Sequence, residues 1–173
     1  IGLERATELA EAAAEGEICS PANDNGPDQV VLSGTATAIE RAVELAPDFG
    51  ARRAILLQVS APFHCALMAP AAEVMEEALA KVDFAPPLVP LVANVTAART
   101  EEPGAIMRQL VEQVTGLVRW RECVLAMKDS GVDTLVEIGS GKVLSGLTRR
   151  IDRDLTSVSV SDAAGVEVFL KTL

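Results

Sequence analysis

The chain's 173 residues carry a formal net charge of −10, with 25 acidic against 15 basic side chains and a single histidine. That balance argues against a general nucleic-acid binder, whose affinity rests on lysines and arginines neutralising phosphates. No apolar run approaches the roughly 18 residues that span a membrane, and Cys19, Cys65 and Cys123 have neither disulfide-framework nor metal-ligand spacing, which fits a reduced cytoplasm.

Hydrophobic residues make up 49% of the chain but aromatics only 3%, so the core must be built from Ala, Val, Leu and Ile. Glu4 to Ala14 is an Ala/Glu-rich helical pattern ended by Gly16. Ile18 to Ser20 and Val30 to Ser33 are short β-branched runs, with a turn rich in Asn, Gly and Pro expected between them. Thr37-Ala38-Ile39-Glu40 reads as a capping box opening a helix with Ile39, Ala42, Val43 and Ala46 on one face. Pro47 should stop or kink it. Ala54 to Val59 is an apolar run expected as a buried strand. Helix, strand, strand, helix, strand is a ferredoxin-like βαββαβ unit without its first strand, and it places a small subdomain at residues 1–59.

From residue 60 to 173 the pattern is α/β. Leu67, Ala71, Val74 and Ala78 recur at helical spacing. Leu88 to Ala93 reads as a short proline-bounded strand, Ile106 to Val114 and Trp120 to Met127 as helices, and Thr134 to Ile138 as a buried strand. Gly139-Ser140-Gly141-Lys142 makes a strand-to-helix turn, and the helix runs to about Arg150. Leu155 to Val160 closes the series as a strand, followed by about ten helical residues. The Gly-Ser-Gly-Lys stretch is no phosphate loop: Val136 stands where that motif needs glycine, and Val143 where it needs Ser or Thr.

The one histidine follows the expected strand, in Ser60-Ala61-Pro62-Phe63-His64-Cys65. Pro62 cannot continue a central strand, so the imidazole stands at a strand end, where scaffold meets loop. An ordinary exposed or core-satisfied histidine fits that place, and so does a proton-transfer group working near neutrality. A Cys65–His64 dyad does not, because neighbours on extended backbone point oppositely.

Three stretches resemble the malonyl-CoA:acyl carrier protein transacylases. They are Ser20-Pro21-Ala22-Asn23-Asp24-Asn25-Gly26-Pro27-Asp28-Gln29-Val30-Val31, the segment Val59 to Met68 around His64, and Glu137-Ile138-Gly139-Ser140-Gly141-Lys142-Val143-Leu144. The resemblance covers essentially the whole chain but only part of such an enzyme. No Gly-x-Ser-x-Gly elbow occurs in it, and the chain opens Ile1-Gly2-Leu3, so a carboxy-terminal piece is expected, with the nucleophilic serine and a carboxylate-binding arginine in a missing amino-terminal half.

The resemblance implies a ferredoxin-like subdomain joined to the carboxy-terminal part of a hydrolase-like parallel α/β core. It implies malonyl transfer from malonyl-CoA to the phosphopantetheine thiol of acyl carrier protein, in the cytoplasm and with no cofactor. His64 becomes the general base, oriented by the main-chain carbonyl of Gln113, which otherwise reads as a helix-end glutamine. Asn23 and Asn25 match paired asparagines, the second lining the acyl and pantetheine cleft, although Asn is also a common turn residue. Phe63 narrows the acyl pocket. Lys142, Arg149, Arg150 and Arg153 are a carrier-protein docking patch, or else a solvated helix end with well-placed cations. An acyltransferase domain of a polyketide or multifunctional synthase, and a non-catalytic binding module, stay open beside this reading.

Overall fold

The structure, a computed structural model, describes residues 1–172. In chain order the elements are α1 (Leu3–Ala14), β1 (Cys19–Gly26), β2 (Gln29–Gly34), α2 (Ala36–Leu45), α3 (Ala69–Leu79), β3 (Leu91–Ala93), β4 (Ala98–Thr100), α4 (Pro103–Thr115), α5 (Trp120–Asp129), β5 (Thr134–Ile138), α6 (Val143–Ile151), β6 (Thr156–Val160) and α7 (Ala163–Leu170). The chain is mixed α/β and forms two compact units, Ile1–Cys123 and the remainder from Val124 onward.

In the first unit α1 and α2 pack on the antiparallel β1–β2 hairpin. Leu9, Ala13, Ala42 and Ala46 form the core, with Leu32, Leu45 and Phe49 against it. Small side chains at i, i+4 spacing on both helices let the backbones approach closely, as a chain poor in aromatics requires. Helix α1 ends in a left-handed Glu15, then Gly16 at φ 89°, a conformation glycine adopts without steric cost. Arg41 reaches back from α2 and donates to the carbonyls of Ala13 (2.8 Å) and Ala14 (3.0 Å) at the end of α1.

Several local expectations are corrected here. The Asn-rich stretch is not the turn. It is the body of β1, bulged between Pro21 and Asn23 and again between Asp24 and Gly26, and the turn shrinks to Pro27 and Asp28. Bulges accommodate the turn-type residues without ending the ladder. The cap of α2 is Thr35, whose hydroxyl accepts from the Ala38 N–H, while Thr37 donates its hydroxyl to Glu17. Helix α2 ends at Leu45, before Pro47, as the proline demands. The expected strand Ala54 to Val59 pairs with nothing among the described residues and lies exposed. A strand exists only through its neighbours' hydrogen bonds, and apolar character alone does not supply them. The helix that Leu67, Ala71, Val74 and Ala78 mark by their spacing forms as α3, with those four side chains exposed; it is entered through a 3₁₀ turn at Ala66–Met68 and packs against α4. Of Leu88 to Ala93, only Leu91–Ala93 is strand, paired antiparallel with Ala98–Thr100.

In the second unit β5 and β6 are parallel and in register from Thr134/Thr156 to Ile138/Val160, with α6 as the crossover. The Glu137 carboxylate accepts from the Leu144 (3.1 Å) and Ser145 (2.9 Å) N–H groups, capping α6 from the preceding strand. Those bonds, the one from the Ser145 N–H first, hold its pKa below that of an ordinary glutamate. Lys128 at the end of α5 pairs with Asp152 just past α6, which holds the Asp152 carboxyl low.

Candidate active site

His64 stands between Phe63 and the buried Cys65 with φ 60°, a left-handed conformation that a side chain with a Cβ adopts at a cost. The Cys65 thiol donates to the Pro62 carbonyl at 3.2 Å, so the residue after the histidine is a buried anchor rather than a reactive partner. That contact and the 3₁₀ turn behind it keep the strained backbone in place. The imidazole is half-buried, and its Nδ1 lies 2.8 Å from the Gln113 carbonyl oxygen in the last turn of α4. A carbonyl can only accept, so this contact requires the proton on Nδ1 and leaves Nε2 as the basic nitrogen of the neutral ring.

The Gln113 side chain has a separate task. Its amide Nε2 donates to the Gly116 carbonyl at 2.8 Å and closes the turn beyond α4. That turn continues to Val118, which bridges to β1 in parallel fashion: the Asp24 N–H donates to the Val118 carbonyl and the Val118 N–H to the Ala22 carbonyl, both at 2.9 Å. Asn23 is the bridge residue. Asn25 occupies the bulge, half-buried, and its side-chain amide takes no protein partner among the described residues. Phe63 is 47% exposed, beside the histidine rather than under it.

Residues 119–123 fasten the next element. Arg119 donates to the Thr96 carbonyl (2.9 Å) and pairs with Glu122, and its own N–H reaches the Asn94 carbonyl. Burial pushes the Cys123 thiol up to about 11, which makes it an inert core group. No signal in the sequence pointed to the pair formed by Asp24 and Arg121. Asp24 is wholly buried on β1, and its Oδ2 accepts from Arg121 Nη2 at 2.8 Å and Nε at 2.9 Å.

His64, Gln113, Asn23 and Asn25 thus all belong to the first unit, with direct contact only between His64 and Gln113. The proposed basic patch belongs to the second unit. Lys142 is the N-cap of α6, whereas Arg149 and Arg150 are in its last turn and Arg153 follows it. Seven residues separate Lys142 from Arg149, about 10 Å along the helix axis, so the patch spans both ends of α6. Arg149 and Arg153 line a shallow cavity of about 450 Å³ with Leu155, Thr156 and Ser157. Among the described residues no group of three or more His, Cys, Asp or Glu side chains is placed to hold a metal ion, and no helix is long and apolar enough to cross a membrane.

The chain thus presents, on a mixed α/β scaffold, a left-handed histidine bonded to a main-chain carbonyl. Comparison with known proteins makes the relationship particular. The chain is similar in sequence to malonyl CoA-acyl carrier protein transacylases, being 45% identical over 159 residues to that of Bacillus subtilis (92% of this chain, 50% of the relative) and 43% identical over 173 residues to that of Escherichia coli K12 (99% and 56%). It superposes on the acyl-carrier-protein S-malonyltransferase of Bartonella henselae with a TM-score of 0.94 at 49% identity, covering 99% of this chain and 55% of that one. A malonyl-transacylase solved in complex with a type II PKS acyl-carrier protein matches with a TM-score of 0.96 at 40% identity, covering 100% of this chain and 56% of that one. A scan against protein-family models finds no match. The chain spans about half the length of the curated relatives it matches.

Proposed function

We propose that this chain forms the carboxy-terminal part of an enzyme that moves a malonyl group from malonyl-CoA to the phosphopantetheine thiol of an acyl carrier protein. The serine that carries the malonyl group lies outside it, in the amino-terminal half. The observation that carries the reading is the 2.8 Å contact between His64 Nδ1 and the Gln113 carbonyl. It commits one imidazole nitrogen as donor and leaves Nε2 free for a proton.

In the first half-reaction Nε2 takes the proton of the serine hydroxyl as its oxygen attacks the thioester carbon. The carbon–sulfur bond breaks, and the departing coenzyme A sulfur takes that proton back from the imidazolium. In the second, Nε2 deprotonates the pantetheine thiol, whose sulfur attacks the serine ester. The ester carbon–oxygen bond breaks, and the serine oxygen recovers the proton. A neutral carbonyl stabilises the intervening imidazolium less than a carboxylate would, yet it fixes the same tautomer. In this reading Asn25, with Asn23 behind it, offers its unpartnered amide to the acyl and pantetheine chain, and Phe63 narrows the acyl end. Arg149, Arg150 and Arg153 meet the acidic carrier protein, with Lys142 at the other end of α6.

The architecture we infer is a ferredoxin-like subdomain over residues 1–59 and the carboxy-terminal part of a hydrolase-like core over 60–173, working in the cytoplasm without a cofactor. The helix–hairpin–helix order of α1, β1, β2 and α2 and the parallel β5–α6–β6 unit support it. The neighbour bound to a type II PKS acyl-carrier protein favours a second reading on the same chemistry, in which the carrier belongs to a polyketide pathway.

The test uses the complete enzyme. His64→Ala should slow both acylation by radiolabelled malonyl-CoA and transfer to the carrier protein by about 10²–10⁴-fold. Gln113→Ala should cost much less, because the orienting carbonyl belongs to the main chain. Near-normal turnover by the His64 variant would remove the reading.

A further inference from the structure

We propose that Asp24 and Arg121 are positioning residues that hold the His64–Gln113 contact in its working geometry. The inference rests on the acyl-transfer reading above and extends it to a pair 97 residues apart in sequence.

Asp24 is buried completely, yet only one of its carboxylate oxygens is used. Oδ2 receives both Nε and Nη2 of Arg121, and Oδ1 is buried with no hydrogen-bond partner. As a stabilising device this is incomplete: Arg121 stays 30% exposed, while the wholly buried carboxylate bears its desolvation cost and its orphaned oxygen regains none. What such a pair supplies is direction. Arg121 lies in the first turn of α5, three residues after Val118, and the main chain of Asp24 already bonds to Val118. Main chain and side chain of one residue therefore grip the same short segment, one from each end.

That segment leads straight to the base. Val118 is two residues past Gly116, whose carbonyl holds the Gln113 side chain and whose N–H bonds to the Glu112 carbonyl. Gly116 is packed without slack: a Cβ there would lie 2.8 Å from the Glu112 carbonyl oxygen and 3.0 Å from Val95 Cγ2. A shift of residues 116–118 must therefore carry the end of α4, and with it the carbonyl that orients His64. The pair also selects a face of β1. Ala22, Asp24 and Gly26 are buried and alternate with half-buried Asn23 and Asn25. Pinning Asp24 inward keeps both asparagines on the opposite face.

The experiment is kinetic, on the complete enzyme. Asp24→Ala would empty a buried site, so the near-isosteric Asp24→Asn is used with Arg121→Gln, Arg121→Lys and the double variant Asp24→Asn/Arg121→Gln. Rates are normalised to the burst of malonyl incorporation, which counts only folded, competent sites. Displacing an orienting group by a fraction of an ångström should lower kcat about tenfold in both half-reactions. KM for malonyl-CoA should stay within about twofold, the mark of an interaction used in the transition state. Arg121→Lys should recover part of the loss, and the double variant should be no worse than the poorer single one. Unchanged burst-normalised kcat, with loss only in melting temperature or burst size, would show a merely structural pair and overturn the proposal. A rise in KM alone would overturn it too. A wild-type enzyme that takes up no malonyl group would instead defeat the functional reading, and this proposal with it.

Discussion

Residues 1–51 and residues 52–63 both carry apolar runs and meet opposite fates. In the first stretch Leu9, Ala13, Ala42 and Ala46 are almost completely buried, because α1, α2 and the hairpin are one another's partners within fifty residues. In the second, Ile55, Leu56, Leu57 and Val59 are each more than half exposed, and no strand among the described residues pairs with them. The difference teaches that a hydrophobic run specifies burial without specifying what buries it. Helices carry their hydrogen bonds internally, whereas a central strand borrows them from neighbours. The relatives' greater length supplies room for such neighbours.

The most drastic way to break the comparison is to ask whether the second stretch is sticky. Ile55 to Val59, together with Leu67, Val74, Leu88 and Val89, leave large apolar side chains in solvent, and such surface, where contiguous, marks an interaction or aggregation site. The 173-residue chain on its own is expected to aggregate or to bind a hydrophobic dye strongly, and co-expression with the amino-terminal half should abolish both. A monomeric, cooperatively unfolding, dye-silent preparation of the chain alone would mean that these side chains are content in water.

A smaller effect sharpens the same point in the complete enzyme. Leu9→Ala removes a side chain that is 4% exposed and should destabilise by about 2–5 kcal/mol. Leu57, 51% exposed here, should behave alike when truncated to Ala if the rest of the enzyme covers it. Denaturant unfolding reports both. A Leu57→Ala change within about 0.5 kcal/mol of wild type would place it on the surface of the whole protein as well.

Legibility follows the same division between local and borrowed structure. Helices α1, α4, α5 and α6 and the bounds of the β5–α6–β6 unit match their sequence expectations to within a few residues, because periodicity, caps and glycines act locally. Strand β5, however, expected buried, has no buried residue and leaves Ile138 77% exposed. The strand through Pro21 to Gly26 escaped because Asn, Asp and Gly favour turns; what overrides them is the ladder to β2 and a bridge to Val118, far along the chain. The cap of α2 was placed two residues late because Glu17, twenty residues earlier, claims the Thr37 hydroxyl. At the candidate site, His64 stood out by its place after a proline-stopped apolar run, Gln113 was legible only through resemblance, and the structure puts them in contact. Asp24 and Arg121 were not legible at all, since nothing about a lone aspartate between two asparagines says that it is buried.

The smallest expected effect tests the well-packed region, at the junction of its two helices. Glu17 accepts from the hydroxyls of Thr35 (2.6 Å) and Thr37 and from Arg41 Nη2 (2.7 Å). These bonds, the threonines first, lower its pKa from an ordinary 4.5 to about 2. Because the folded value lies below the unfolded one, the ionised carboxylate favours the fold. Its contribution is complete above about pH 4.5 and is lost as pH falls towards 2. Glu17→Gln should therefore melt below wild type at pH 7, and the gap should close as pH drops through that window. The group is solvent-exposed, so the gap should be small and should shrink with added salt. A gap that stays constant from pH 7 to pH 2 would assign the threonine contacts to shape rather than charge.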